Sequence, residues 1–154
     1  MFYIAVAALM FVLPLLSIAI EAATANAAIG ALLACKWFAF WAMGWRLLLA
    51  GLRQIVQPAF TARVILGLKH EESHFLVREL GFANVALGLL GVLSLPLPAW
   101  RVAAALAGGV FYALAGAAHV RHSHRNRLEN VAMASDLFVA AVLLGSCAAL
   151  LSHA

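Results

Sequence analysis

Charged residues are scarce in this sequence: Lys, Arg, Asp and Glu together make up 10% of the 154 residues, whereas soluble domains contain about a quarter. Hydrophobic residues make up 66%, which is more apolar surface than one small core can bury. This combination excludes an ordinary soluble domain and indicates that lipid surrounds the chain. Ala, Leu, Val and Gly dominate, which favours packed membrane helices over a barrel of alternating strands.

Other features are also missing or rare. The basic residues form no stripe with interleaved aromatics, so the net charge of +4 predicts orientation in a bilayer and no nucleic-acid partner. The ATANAA segment resembles a signal-peptide cleavage site, but no Lys or Arg precedes it, so we expect the first apolar run to be a spanning helix. The only cysteines, Cys35 and Cys147, lie in apolar runs. Buried thiols are expected there, with a disulfide near the outer face as the alternative.

Five apolar runs are long enough to cross a bilayer. The predicted helices cover about residues 2–20, 32–52, 75–95, 100–120 and 131–151. Asn126 and Glu129 have the spacing of a capping box at the start of the fifth helix. The chain is thus predicted to be one integral membrane domain, residues 1–154, with an all-α polytopic transmembrane bundle of about five spans. A short interfacial amphipathic helix is also predicted within residues 54–73, with Phe60, Val64, Ile65 and Leu68 on one side and Arg63 and Lys69 off it.

Basic residues are concentrated in two of the predicted loops, and with five spans these loops lie on the same side of the membrane. The excess of positive charge marks the cytoplasmic side. We therefore expect a multi-pass protein of the bacterial inner membrane, with the N-terminus inside and the C-terminus outside. The basic residues are Arg53, Arg63 and Lys69 in the loop before the third helix, and Arg121, Arg125 and Arg127 in the loop before the fifth.

Ionisable side chains are predicted to meet at the cytoplasmic end, where the second and fourth helices end and the third and fifth begin. Charges in lipid are tolerated when they face the bundle and pair across helices. Asp136 lies about two turns inside an apolar helix, so we expect it to face the interior and contact Arg46, Arg53, Arg78 or His119. The predicted ligand-binding residues are Arg46, Arg53, Arg78, Glu79, Asn84, His119 and Asp136.

Small residues recur on the third and fourth predicted helices at spacings of three and four. Such residues let helix backbones approach closely, so we expect these two helices to pack against each other and to bring Asn84 and His119 to one interior. Trp37, Trp41 and Trp45 form a further stripe on the second helix, suited to lipid anchoring and helix packing. The small-residue stripes consist of Gly81, Asn84, Gly88 and Gly91 in the third helix, and of Gly109, Ala113 and Gly116 in the fourth.

The segment HEESH, residues 70–74, matches the zinc-binding pattern H-E-x-x-H, in which two histidines share a helix face. We favour a charged helix entrance, because Lys69 and Glu72 place charges where zinc motifs usually avoid them. A metal site built from carboxylates and a histidine remains open as an alternative, with Glu79, His119 and Asp136 as its ligands. The sequence assigns no catalytic residue and no cofactor, and it leaves a bound metal and catalysis itself open.

Four segments form a recognisable string of motifs within about residues 36–140. They resemble a family of small bacterial integral membrane proteins of unknown function and, more loosely, the DoxX-like four-helix membrane proteins. The resemblance implies a polytopic helical fold and brings no established reaction. It places motif residues at Arg78, Glu79, Asn84, His119, Ser135 and Asp136. The segments are KWFAFWAMGWRLLLAGLRQIVQPAFTARVILG, VRELGFANVALGLLGVLSL, ALAGAAHV and NRLENVAMASDLF.

The leading functional prediction is a small polar or lipid-like ligand bound in an intramembrane pocket open to the cytoplasm, or a role as an accessory membrane subunit. One alternative is a metal-dependent membrane enzyme, either a zinc hydrolase that uses HEESH or a carboxylate and histidine site. Another is a proton or ion relay along Glu79, Asn84 and Asp136. Membrane lipids are the expected partners, with a homo-oligomer or a larger membrane complex as further candidates.

Overall fold

The computed structural model describes residues 2–65, 67, 70–121 and 126–152. Five of its helices are long and apolar enough to cross a membrane. They are α1 (Tyr3–Ala25), α2 (Ala31–Val56), α3 (Ser73–Leu93), α4 (Pro98–Arg121) and α5 (Arg127–Ser152). No strand occurs among the described residues, and the predicted all-α bundle with five spans is confirmed.

Residues with special backbone preferences lie where the helices end. Asn26 follows α1 with a φ of 48°, a left-handed conformation that Asn adopts more readily than most residues after a helix. Pro58 follows α2 after one residue, Gln57, and a residue before proline avoids the helical conformation. Proline also opens α4, at Pro98, where the missing N–H costs no helical hydrogen bond.

The predicted capping box at the start of α5 is present. The backbone N–H of Glu129 donates to Asn126 Oδ1 at 2.9 Å, and the backbone N–H of Asn126 donates to Glu129 Oε2 at 2.8 Å. These two bonds satisfy backbone donors that a helix start leaves open. Glu129 is buried, and its carboxylate therefore has a structural role in this turn.

The glycine stripe of α3 packs against α2, which carries glycines of its own. A Cβ atom added to Gly91 would lie 2.6 Å from Gly44 Cα, and one added to Gly51 would lie 2.6 Å from the Gly81 carbonyl oxygen. Only glycine permits backbones to approach so closely. The helices α2 and α3 therefore form one tightly packed hairpin, which we call the α2–α3 hairpin.

The stripe of α4 packs against α5 in a different way. The side chain of Leu144 lies over Gly109, and that of Leu137 lies over Gly116, so leucines of α5 fill the space that the missing side chains leave. We call this pair the α4–α5 hairpin. The prediction that α3 and α4 pack tightly against each other through these stripes was wrong, because each stripe is matched by the surface of a different helix and the direct contact between α3 and α4 is small.

Helix α2 is central and contacts the other four helices. Its segment Ala39–Trp45 has π-helical geometry, in which the N–H bonds to the carbonyl five residues earlier. The Tyr112 hydroxyl of α4 donates to the Ala42 carbonyl oxygen in this segment at 2.6 Å. This buried hydrogen bond joins the two hairpins about one turn from Arg46.

A second polar cluster lies where α1 ends and α2 begins. Lys36 Nζ donates to both carboxylate oxygens of Glu21 at 2.7 Å, and Trp37 Nε1 donates to the same carboxylate at 2.6 Å. Trp41 Nε1 donates to Ser17 Oγ at 3.0 Å. Two members of the tryptophan stripe therefore fasten α2 to α1. Helix α1 continues past its predicted end near residue 20, to Ala25, and so includes the paired Glu21.

Both cysteines are buried free thiols. Cys35 Sγ lies 3.6 Å from the Arg101 carbonyl oxygen, and Cys147 Sγ lies 4.0 Å from that of Val102. Cys35 of α2 and Cys147 of α5 are small buried side chains that pack against the start of α4. The alternative, a disulfide between them, is not formed.

Candidate functional site

A cavity of about 360 Å³ lies between the two hairpins, at the end of the bundle where α2 and α4 end and α3 and α5 begin. Ala5 and Leu9 of α1 contribute to its wall, so every spanning helix lines it. Most of the lining is aliphatic or aromatic. The polar lining residues are Arg46, Arg53, Gln54, Thr61, Asn84, Tyr112, His119 and Asp136.

Five of the seven residues predicted to bind a ligand are brought together in this cavity. They come from four helices and from positions far apart in the sequence. Antiparallel packing of the four helices brings these positions to one part of the bundle. These residues are Arg46, Arg53, Asn84, His119 and Asp136.

Arg78 and Glu79 do not line the cavity, and both are exposed on α3. Helical geometry explains the difference. Leu80 and Asn84 are four residues apart on the face that lines the cavity, whereas Glu79 lies about 140° around the helix from Asn84. These two charges therefore lie outside the cavity, and their part in ligand binding stays a prediction from the sequence.

Sequence reasoning missed three polar lining residues: Gln54, Thr61 and Tyr112. A usable signal existed for Gln54, because it continues the stripe of Arg46 and Ala50 at spacings of four. Tyr112 gave a weaker signal, since a tyrosine in a spanning helix also suits packing. Thr61 gave none, because its place depends on how the chain turns after α2.

Arg46 of α2 and Asp136 of α5 both line the cavity. The Arg46 guanidinium is close enough to act electrostatically on the Asp136 carboxylate, and both charges act on the Tyr112 hydroxyl. Asp136 is half-buried on α5, as an intramembrane carboxylate near a cation is expected to be. Two arginines and one aspartate line the cavity, so the described walls carry an excess of one positive charge before any contribution from His119.

A buried amide pair forms another part of the wall. Asn84 Nδ2 donates to Gln54 Oε1 at 2.8 Å, which joins α3 to α2. Asn84 is only 4% exposed. Its Oδ1 atom is buried and accepts no hydrogen bond, although buried side-chain oxygens in proteins almost always have a donor.

The short helical segment 58–65 covers one side of the cavity. It consists of Pro58–Phe60 and a π-helical turn, Thr61–Ile65. Thr61 is buried against the cavity, and the Phe60 ring lies 3.8 Å from the Arg53 guanidinium carbon, which is cation–π geometry. Val64 is half exposed, as a lipid-facing residue of an interfacial segment should be. Leu68 and Lys69, which were predicted to continue this segment, lie outside the described residues.

The HEESH segment straddles the start of α3. His70 precedes the helix, Ser73 is its first residue, and the Ser73 hydroxyl donates to the His70 carbonyl oxygen at 2.6 Å. The two histidines therefore do not lie on one regular helix, which is the premise of the zinc motif. Glu71 instead forms an exposed ion pair with Arg63, at 3.6 Å. The geometry is that of a charged helix entrance.

The other residues that could bind a metal do not form a cluster either. Among the described residues, no three of the His, Cys, Asp and Glu side chains cluster as metal ligands would. Glu79 points away from the cavity that His119 and Asp136 line, so the alternative site built from these three is not assembled.

The comparisons with known proteins concern the whole chain. A family model, described as a family of unknown function (DUF6790), matches residues 1–153. The chain belongs to this family. Neither a curated protein nor a solved structure matches it. The predicted resemblance to a membrane protein family of unknown function is thereby confirmed. Because DUF6790 carries no assigned reaction, the function has to be argued from the cavity.

Proposed function

We propose that the chain is a membrane binding protein or accessory subunit that holds an amphipathic, lipid-like ligand with an anionic head group in the cavity between the two hairpins. The observation that carries this proposal is the combination of a mostly apolar lining with two arginines against one aspartate. Ligand pockets typically join an apolar wall to a few polar groups that orient the ligand, and a volume of about 360 Å³ lies in their usual range.

The rim of the cavity supports entry of the ligand from the lipid. Ala5, Leu49 and Leu80 line the cavity and are also exposed on the outer surfaces of α1, α2 and α3. Leu49 is 49% exposed and Leu80 is 38% exposed. In a bilayer, such apolar positions face acyl chains. A hydrocarbon tail at this rim stays in lipid-like surroundings while its head group reaches the polar wall.

The charges favour an anionic head group. Asp136 offsets one arginine, and the second arginine is left to balance a ligand charge. Arginine suits this task because its planar guanidinium donates parallel hydrogen bonds to a carboxylate or phosphate. Arg53 is the candidate for this contact, since it is exposed at the cavity mouth and oriented by the Phe60 ring.

The two alternative functions have less support. The metal-dependent enzyme needs a ligand set that the described side chains do not assemble. The relay needs polar groups across the membrane, but buried Met43, Val139 and Leu143 belong to the core between the cavity and the Glu21–Lys36 pair. Both remain predictions from the sequence, and a stoichiometric metal in the purified protein would favour the enzyme.

Binding can be measured by native mass spectrometry in a non-ionic detergent with three twelve-carbon probes. We expect one-to-one adducts with laurate to be more abundant than those with dodecanol, and dodecyltrimethylammonium to bind least. Arg53→Gln should weaken laurate binding by about 3–10-fold, the range for one ordinary hydrogen bond, since Arg53 is exposed to solvent that weakens the charged contact. Arg63→Gln is the matched control, since this arginine is exposed and lies outside the cavity. Equal binding of the three probes, or equal effects of the two variants, would contradict the proposal.

For the orientation, we propose that the cavity end faces the cytoplasm of a bacterial inner membrane, with the N-terminus inside and the C-terminus outside. The basis is the excess of Lys and Arg near the α2–α3 and α4–α5 connections; within the second, Arg125 lies outside the described residues. Reporter fusions at Ala154 and within residues 122–127 test it. An alkaline phosphatase fusion should be active at Ala154 and inactive in the loop, and the reverse pattern would reject this orientation.

A further inference from the structure

The polar wall of the cavity offers a hydrogen-bond acceptor as well as cations. Asn84 borders the cavity and is 4% exposed, and its Oδ1 atom is buried without a donor. A buried acceptor without a donor is costly, because it has lost its hydrogen bonds to water and gained none. Asn84 donates to Gln54 of α2 and also lines the cavity, so the cavity is the side from which we infer that a ligand donor approaches.

That one polar atom of Asn84 lacks a partner does not depend on which way the two amides are turned, but whether that atom is an acceptor or a donor does. If both were reversed, Gln54 would donate to Asn84, and the Asn84 amide nitrogen would be the buried atom without a partner. The orientation in the structure, in which Asn84 Nδ2 donates to Gln54 Oε1, leaves the oxygen open. In either orientation one polar atom of Asn84 has no partner within the protein. In the orientation of the structure this atom is the Oδ1 acceptor, which a ligand donor would satisfy.

The open acceptor lies close to the cationic part of the wall. Gln54, the hydrogen-bonded partner of Asn84, directly follows Arg53 in the sequence, and all three line the cavity. A head group that places its anion at the arginine therefore has its neighbouring atoms near the amide pair. An amide N–H or a hydroxyl within a few bonds of the anion can reach Asn84.

We propose that the ligand is an anionic amphiphile whose head group also carries a hydrogen-bond donor, of the chemical class of N-acyl amino acids, and that Asn84 accepts the hydrogen bond from this donor. This inference rests on the proposed function and adds to it the chemistry of the head group. A simple fatty-acid anion has no such donor and leaves Asn84 Oδ1 without a partner.

A matched pair of probes tests the donor on the unmodified protein. N-lauroylglycine and N-lauroylsarcosine share the tail, the carboxylate and the amide carbonyl, but the first has an N–H where the second has an N-methyl group. We expect N-lauroylglycine to bind about tenfold more tightly in native mass spectrometry titrations. Equal binding of the pair, or tighter binding of N-lauroylsarcosine, would overturn the inference.

Two variants separate the role of Asn84 from a general effect on the cavity. Asn84→Leu keeps the number and branching of the side-chain heavy atoms and removes the acceptor, so the preference for N-lauroylglycine should fall to about onefold. Ser146→Ala removes a buried polar group that lies outside the cavity and should leave the preference intact. A tenfold preference that persists in Asn84→Leu would show that another residue accepts the hydrogen bond, and it would overturn the proposal.

The outcomes also distinguish this inference from the proposed function. If both probes and laurate bind equally well and their binding depends on Arg53, the proposal of an anionic amphiphile is supported, and the inference of a hydrogen-bond donor in its head group is wrong. If none of the three binds better than dodecyltrimethylammonium, the proposed function itself fails. Melting temperatures of each variant, measured without probe, show whether a loss of binding reflects a loss of fold.

Discussion

Replacement of Asp136 by leucine is expected to destabilise the folded bundle by about 2–3 kcal/mol. The carboxylate and the Arg46 guanidinium interact in the cavity between α5 and α2. Leucine would leave the arginine inside the membrane without this counter-charge, which is more costly than the loss of the pair as a whole. The expected loss of stability is smaller than that for breaking a fully buried ion pair, because both side chains are only half-buried.

The measurement is reversible unfolding in mixed micelles, followed by circular dichroism. Asp136→Asn should lose less stability than Asp136→Leu, since the amide keeps a hydrogen-bonding group of nearly the same size at this position. The double variant Arg46→Met, Asp136→Leu should recover part of the loss, because it removes both charges. An Asp136→Leu variant as stable as the wild type would show that the two charges are independent.

Replacement of Gly91 by alanine is expected to destabilise the protein by about 1–3 kcal/mol, the usual range for overpacking. The added Cβ atom would lie 2.6 Å from the Cα and N atoms of Gly44 and from the Ala39 carbonyl oxygen. These are backbone atoms, so no side chain can turn away to relieve the contact. The α2–α3 hairpin would have to open, and with it the wall of the cavity that carries Gln54 and Asn84.

Two other glycines provide graded controls in the same unfolding experiment. At Gly109 the added methyl group would meet the flexible tip of Leu144, and at Gly145 it would meet no atom within 4 Å. Gly109→Ala should therefore cost less than Gly91→Ala, and Gly145→Ala should be neutral or stabilising, since alanine is the better helix former. Equal effects at the three positions would show that close backbone contact is not what stabilises the hairpin.

The part of the candidate site that could be predicted is the part that local pattern determines. In lipid, each spanning segment must satisfy its own backbone hydrogen bonds, so apolar length alone predicts the five helices. Once the helices are placed, the sequence position of a charge gives its depth. Arg46, His119 and Asp136 were assigned to one level of the bundle in this way, and they line one cavity. The capping box at Asn126 and Glu129 is equally local.

Depth along a helix, however, does not give direction around it. Arg78 and Glu79 lie at a depth similar to that of the cavity residues, yet both are exposed on another side of α3. The direction depends on which neighbour each face meets. The glycines of α3 could have faced α4 or α2, and the presence of Gly44 and Gly51 on α2 decides between them only when both helix surfaces are compared.

The sequence by itself determined the number of spans, the helix caps and the end of the bundle at which charge collects, because these depend on hydrophobic length and on neighbours within a few residues. Only the tertiary structure decided that α2 pairs with α3 and α4 with α5, that Gln54, Thr61 and Tyr112 complete the cavity wall, and that the Oδ1 atom of Asn84 lacks a donor. Each of these depends on two or more helix surfaces that meet across long stretches of sequence, where van der Waals fit between specific side chains selects one arrangement among several of similar hydrophobicity.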